Sequence, residues 1–356
     1  MSATVAASAR SDARRGAACG LLAAALFGVS APIAKRLLGE TTPQILAGLL
    51  YLGAGTGLWL YGRARPPRGE APLRREDLPT LLAIGIAGGV VGPLCMLFGL
   101  QRVGALTGSL LLNLEAPFTI AVAVLAFGEH LGRHAAGAIA LVLLGAVLLK
   151  LEPGASGADT LGVLLLAGAC LAWAIDNNLT QRLSLRDPFA LVRVKTLGAG
   201  AFNLALGLVL SSGRVPGAGV LVAALALGCV SYGVSVVLDA YALRLVGAAR
   251  EAAYFATAPF LGALAAFVLG DALRAIDLAA MAVMASGIAL LLRERHGHTH
   301  GHDALEHDHA HVHDAHHTHD HAPGDPSGEP HAHPHRHAPL VHDHPHVPDL
   351  HHRHRH

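Results

Sequence analysis

Aromatic side chains make up only 4% of this 356-residue sequence and charged ones only 14%, against 53% hydrophobic residues. Soluble domains carry about 25% charged residues, so the deficit excludes an ordinary water-soluble domain for most of the chain. Cysteine is scarce too. Cys19, Cys95, Cys170 and Cys229 all fall in apolar runs without metal or redox spacing, which argues against a disulfide framework and for buried free thiols. There is no Gly-x-x-x-x-Gly-Lys-[Ser/Thr] loop, hence no phosphate-loop signature of ATP use. Neither a His-Glu-x-x-His helix nor a Gly-x-Ser-x-Gly elbow occurs, and no enzymatic chemistry is indicated. Residues 1–15 are polar, Ala-rich and basic, without an apolar stretch ending at a cleavage site. A removable signal peptide is therefore not expected, and the first hydrophobic span would act as its own targeting signal.

What is present divides into two unlike parts. Of the 25 histidines, 23 lie between His296 and His356, leaving only His130 and His134 elsewhere. That tail also holds nine acidic residues and three arginines, a net charge of −6, whereas the preceding 295 residues carry 23 basic and 16 acidic groups, or +7. The near-neutral total is a cancellation, and no nucleic-acid partner is expected.

A helix needs about 20 apolar residues to cross a hydrocarbon core. On that measure ten spans fall near 16–34, 43–61, 79–99, 104–127, 135–150, 160–180, 188–211, 218–243, 247–269 and 276–292. Many are rich in Gly and Ala, and the Gly88-xxx-Gly92 spacing allows close backbone approach where lipid gives no hydrophobic drive for association. Such faces serve contacts within a chain or between two, so a homodimer is one expected arrangement. With the N-terminus inside, 15 basic residues near span ends lie on the inner side and six on the outer. By the positive-inside rule both termini are then cytoplasmic.

The spans repeat. Gly104-Ala105, Ala116-Pro117-Phe118, Gly128-Glu129, Leu131 and Gly145–Leu149 recur as Gly247-Ala248, Ala258-Pro259-Phe260, Gly270-Asp271, Leu273 and Gly287–Leu291, at a constant offset of 142 from the Ala-Pro-Phe onward. Phe27-Gly28 of the first span recurs as Trp173-Ala174 of the sixth. The unit holds five spans, an odd number, so the second copy enters the membrane upside down. Inverted repeats with a site between them are the architecture of many secondary transporters. In the order and duplication of these motifs the chain resembles a ten-helix EamA-type member of the drug/metabolite transporter superfamily, over about residues 16–293. The resemblance implies an all-α integral membrane fold with a five-helix repeat 16–150, a linker 151–159 and an inverted second repeat 160–293; outside it, the basic residues make 1–15 a cytoplasmic segment and composition makes 294–356 a disordered tail. It implies a multi-pass carrier or exporter of small metabolites in a bacterial inner membrane, working by alternating access without a required cofactor.

Charged side chains at the bilayer centre cost at least about 2.5–3.5 kcal/mol, which makes them functional candidates. Glu115 lies midway along the fourth span, two residues before Pro117, and its repeat counterpart is Thr257. Pro117 leaves a carbonyl one turn earlier without a donor, giving a polar wall that includes Asn113; a plain hydrogen bond between Glu115 and Asn113 is the alternative. In the sixth span Trp173, Asp176, Asn177 and Asn178 form an unusually polar run, and the seventh span enters nearby with Arg193 and Lys195. Pairing of Asp176 with either cation would offset its desolvation. The cluster either binds substrate or a proton, or ties the helices together. Asp239, Arg250 and Glu251 read as interfacial anchors, and the His130/His134 pair as loop chemistry.

The tail carries His-x-His and His-Asp-His motifs, with His298, His300, His302, His307, His309, His342 and His344 as candidate metal ligands. Neutral imidazole suits zinc, nickel and copper, and cobalt belongs to the same series. Prolines and the lack of large apolar residues argue against a packed core. Divalent metal ions are thus expected partners beside the lipid bilayer and a small-molecule substrate. Transport of nickel, cobalt or zinc, and a metal sensor or scaffold without transport, stand as the alternative functions.

Overall fold

The computed structural model describes residues 3–64, 71–127, 131–150, 159–183, 186–246 and 254–291, together with the backbone of four segments in the tail. Ten apolar helical spans follow in order. They are α1 Arg14–Leu37, α2 Pro43–Ala64, α3 Arg75–Arg102, α4 Ala105–Ala126, α5 Arg133–Lys150, α6 Thr160–Leu183, α7 Pro188–Leu210, α8 Ala218–Asp239, α9 Ala258–Val268 and α10 Ala275–Leu291. Among the described residues, eight are long enough to cross a membrane on their own, and α9 and α10 are shorter. The helix that becomes α1 starts already at Ala3, and α3 is longer at both ends than its apolar run suggested. Residues 247–253, expected to open the ninth span, lie outside the described residues, as do Glu129, His130, Arg250 and Glu251.

Polyalanine-like faces let related helices pack in reciprocal pairs. On α2 and α7, a Cβ added at Gly48 would meet Leu204 and one at Gly200 would meet Leu52; Gly55 likewise faces Leu197, and Gly207 faces Ile45. Each contact maps onto its partner when the numbers of the two helices are exchanged. As numbers rise on one helix they fall on the other, so α2 and its counterpart α7 run antiparallel. The same reciprocity joins α5 and α10, where Gly145 faces the Ala280 carbonyl and Gly287 the Ala138 carbonyl. Two halves of the same fold therefore lie in opposite senses about a pseudo-twofold axis through these crossings, as a five-helix repeat demands.

Among the described residues, each half contains one helix interrupted at mid-length by a π turn, Gly85–Val91 in α3 and Gly228–Val234 in α8. The extra residue of a π turn loosens the i→i−4 ladder and makes carbonyls available to other donors. The apolar core runs between the halves through Leu46, Leu50, Leu97, Leu100, Leu110 and Met284.

Only backbone is described in the tail. Its described backbone forms strands β1 His296–His302, β2 Leu305–His311, β3 His331–His337 and β4 Leu340–His346, paired antiparallel as β1 with β4 and β2 with β3. The physical reason is the strict two-residue alternation of histidine, which matches the strand period. Pro334 and Pro345 are tolerated because every strand of a two-stranded ribbon is an edge.

Candidate functional site

Asp176 on α6 owes its position to a glycine. A Cβ at Gly88 would fall 1.9 Å from Asp176 Oδ2, and one at Gly92 would fall 2.5 Å from Trp173 Nε1. The Gly88-xxx-Gly92 face of α3 is thus the seat for the polar stretch of α6. Asp176 is nearly fully buried and ion-paired with Lys195 of α7 through Oδ2, while its Oδ1 accepts from Thr180 Oγ1 at 3.1 Å. Of the two candidate cations Lys195 is the partner. Arg193 lies against α2 instead, its Nη1 3.4 Å from where a Cβ on Gly62 would stand.

The π turn of α3 supplies the neighbouring acceptors. Gly88 O receives hydrogen bonds from Tyr51 Oη at 2.6 Å and from Trp173 Nε1 at 3.2 Å, and Gly89 O receives one from Asn203 Nδ2 at 2.9 Å. Tyr51 stands 5.8 Å from Tyr232 of the second π turn, and the Tyr232 ring lies 5.6 Å from Phe27, edge to face. Ser30 Oγ donates to Tyr232 Oη at 3.4 Å. Hydrogen bonds and ring contacts thereby link α1, α8, α2, α3 and α6 in turn. Nothing in the sequence singled out Tyr51, Tyr232, Ser30 or Asn203. The available signal was scarcity, since in a chain with so few aromatics a tyrosine in mid-span is informative.

Glu115 begins the lower half of α4 just after a tight 3-10 turn at Leu112–Leu114 and just before Pro117. Its partner is not Asn113. Asn177 Nδ2 of α6 donates to Glu115 Oε1 at 2.7 Å, whereas Asn113 is turned toward Leu110 O at 3.0 Å and Met284 of α10. Asn178 ties the same two helices by donating to Thr119 O at 3.1 Å and to Ala174 O at 2.8 Å.

Exposure shows which way this pair faces. On α6 the outer stripe is Leu164, Leu171 and Ile175, 62%, 42% and 38% exposed. Asn177 is two residues beyond Ile175, about 200° around the helix, and it too is exposed. Its own face is otherwise closed by Cys170, Trp173 and Ala174, all buried. Asn177 is therefore exposed on a different face of α6 from the outer stripe, at its bond with Glu115. On α4 every residue from Ala105 to Leu114 is buried, and from Glu115 to Val122 all but Pro117 are partly exposed. Burial on α4 thus falls from its start toward its end, the side on which α1 begins.

Ties between the halves occur at both ends. On the side of the N-terminus Arg186 bonds Asp77 at 3.0 Å and Glu76 at 3.1 Å, and Asp187 N donates to Ala71 O at 2.8 Å. On the opposite side Gly270, at φ 108°, turns the chain so that Asp271 Oδ2 caps Leu106 N of α4 at 3.0 Å. Arg36 donates to Leu269 O, and Arg102 pairs with Asp159 at 2.7 Å. Among the described side chains no three His, Cys, Asp or Glu are grouped to hold a metal.

This arrangement has relatives. The model of the EamA-like transporter family matches residues 14–151 and again 160–293. An uncharacterized transporter of Methanothermobacter thermautotrophicus is 30% identical over 265 residues, covering 70% of this chain and 77% of that protein. A probable amino-acid metabolite efflux pump of Salmonella typhimurium is 28% identical over 173 residues, covering 47% of this chain and 54% of that one. A solved crystal structure shares the fold with a TM-score of 0.60 at 22% identity, over 78% of this chain and 98% of its own.

Proposed function

The chain belongs to the EamA-like transporter family, and from that membership we propose that it exports a small organic metabolite across the bacterial inner membrane by alternating access. That it is a multi-pass membrane transporter and not an enzyme follows from the family; cargo, direction and cycle are our reading. The observation that carries the reading is the Glu115–Asn177 pair, a partly exposed carboxylate at mid-span of α4 hydrogen-bonded to an exposed amide of α6. A carboxylate there can exchange the Asn177 donor for a proton or for an N–H group of a cargo, and either exchange would loosen α4 from α6. The Asp176–Lys195 pair lies in the adjoining wall and presents both signs of charge to a zwitterion. The name of the Salmonella relative supports the outward direction. Rocking of one half against the other about the reciprocal α2–α7 crossing would close the side toward which burial on α4 falls and open the other. The excess of basic residues near span ends on the inner side supports cytoplasmic termini.

Reconstitution into liposomes, with labelled metabolites supplied with and without a pH gradient, tests this. Glu115→Gln is expected to abolish gradient-driven flux while leaving the purified protein monodisperse, and Asp176→Asn to lower flux of zwitterionic cargo. Unchanged flux in Glu115→Gln would remove the carboxylate from the mechanism. Reporter mapping that placed residues 150–159 on the same face as Arg14 would remove the inverted arrangement itself.

A further inference from the structure

On the far side of the bundle, opposite the start of α1, two cations at the end of that helix reach backbone carbonyls of other helices. Lys35 Nζ donates to Leu100 O near the end of α3 at 2.5 Å, and Arg36 donates to Leu269 O at the end of α9. The last carbonyls of a helix have no partner within it, and the helix dipole makes that end attractive to a cation. In return Asp271, just past the turn at Gly270, accepts from Leu106 N at the start of α4 at 3.0 Å. Two of these three bonds, from Arg36 and to Asp271, join one half of the repeat to the other. Next to them every residue of α4 from Ala105 to Leu114 is buried, yet polar atoms there are left unsatisfied. Ser109 Oγ, 3.0 Å from where a Cβ on Gly262 of α9 would stand, is buried without a hydrogen-bond partner, and so is Thr41 Oγ1 just beyond the end of α1. A buried hydroxyl without a partner favours any conformation that wets it. The contact is thus held by bonds at its rim and opposed by hydroxyls within it, the balance that a two-state element needs.

The inverted repeat carries the same cation to the near side, where α1 begins. The 146 residues that separate Phe27 from Trp173 also separate Arg36 from Arg182 at the end of α6. The 142 that separate Ala116 from Ala258 also separate Phe127, the last helical residue of α4, from Leu269. We propose that Arg36 and Arg182 are paired gate residues. Arg36 on Leu269 O shuts the far side, as in this structure, and Arg182 on Phe127 O shuts the near side when the far side opens. Backbone carbonyls suit this task better than carboxylates. Arg36 is exposed, so on release both the guanidinium and the carbonyl pass to water, an exchange close to balance. A buried carboxylate would hold the cation too firmly to let it cycle. Both arginines act by positioning helix ends, and neither is assigned a contact with cargo. The cycle rests on the carrier reading, but the gate is read through access and not through flux.

The test uses the full chain in detergent micelles, with Cys19, Cys95, Cys170 and Cys229 replaced by alanine and Ser109→Cys as a reporter modified by a fluorescent maleimide. Arg36→Gln is expected to raise the modification rate about three- to tenfold, the factor set by one hydrogen bond of ordinary net strength. Arg182→Gln is expected to lower it by a similar factor, because the state with the far side open loses its latch. Thr41→Cys is expected to give the same pair of opposite signs from a second position on that side. A rise in both arginine variants would mean general loosening of the bundle and overturns the proposal, as does a rate that neither variant changes. A chain that moves no cargo in liposomes can still show the opposite signs, so failure of the carrier reading and failure of the gate are separate results.

Discussion

The crossing of α4 with α6 and the crossing of α9 with α1 are the same contact made twice, once by each half, and they have been finished in opposite chemistry. Where α1 meets α9 the contact is dry backbone. A Cβ at Gly28 would lie 2.3 Å from Ala258 O, and one at Gly262 would lie 2.6 Å from Gly28 O. Where α6 meets α4 the contact is made by side-chain amides, Asn177 on Glu115 and Asn178 on Thr119 O. At the position related to Glu115 the other half has Thr257, whose hydroxyl bonds Tyr254 O within its own segment at 2.6 Å. A shared fold thus carries one crossing locked by close packing and one held by exchangeable hydrogen bonds. Only the second can be opened by protonation or by a cargo that supplies a better donor.

The most sensitive point of the polar crossing is the ion pair beside it. Lys195→Met leaves the Asp176 carboxylate buried without its counter-charge, and breaking such a pair from one side costs about 3–5 kcal/mol. Thermal unfolding in detergent should show that loss, and the double variant Asp176→Asn with Lys195→Met should recover most of it, because no buried charge remains. A double variant as unstable as the single would mean that Asp176 is held by the Gly88 seat and Thr180 rather than by Lys195.

The dry crossing is expected to fail through volume instead of charge. Gly28→Ala drives a methyl into the Ala258 carbonyl, and overpacking of this kind costs about 1–3 kcal/mol. The related position on α6 is already alanine, and Ala174→Gly there should cost only about 0.5–1 kcal/mol, the helix propensity difference. Equal losses in the two variants, measured by the same unfolding assay, would erase the distinction between the crossings. Gly88→Ala belongs with the larger class, since its methyl would displace a carboxylate that is held on both oxygens.

How much of this was legible in the sequence depends on the range of the interaction. The spans could be read directly, because a continuous apolar run has few other fates, and the duplicated Ala-Pro-Phe fixed the inversion before any coordinates. The union of Asp176 with a cation of α7 was legible for a similar reason, as a buried charge must find its opposite nearby. The seat at Gly88 was not. Trp173 reaches Gly88 O across 85 residues of sequence, and nothing local to either residue announces the other. The π turns were equally hidden, since their glycines look like those of any close-packed helix. In the tail, low hydrophobicity and prolines led to the expectation of disorder, while the two-residue alternation of histidine suits the described strands at 296–302, 305–311, 331–337 and 340–346.

The smallest effect is expected at the rim, where the Arg102–Asp159 pair joins the end of α3 to the start of α6 away from the N-terminal side. A hydrogen bond from the Arg102 guanidinium holds the Asp159 carboxyl below the usual carboxylate range, assisted by the Leu161 N–H. The sign follows from the direction of that shift. The folded state favours the ionised form, so the stabilising contribution is complete above the ordinary carboxylate pKa and fades as pH falls through the lowered one. Near neutral pH the pair is therefore intact and insensitive to small pH changes. Arg102→Gln should return the Asp159 titration toward its ordinary range in a carbon-detected NMR experiment and leave the unfolding temperature almost unmoved, because the pair is solvated and screened. A large fall in unfolding temperature would show that this rim contact clamps the closed side, and the locked-versus-exchangeable contrast would then extend from the crossings in mid-span to the ends of the helices.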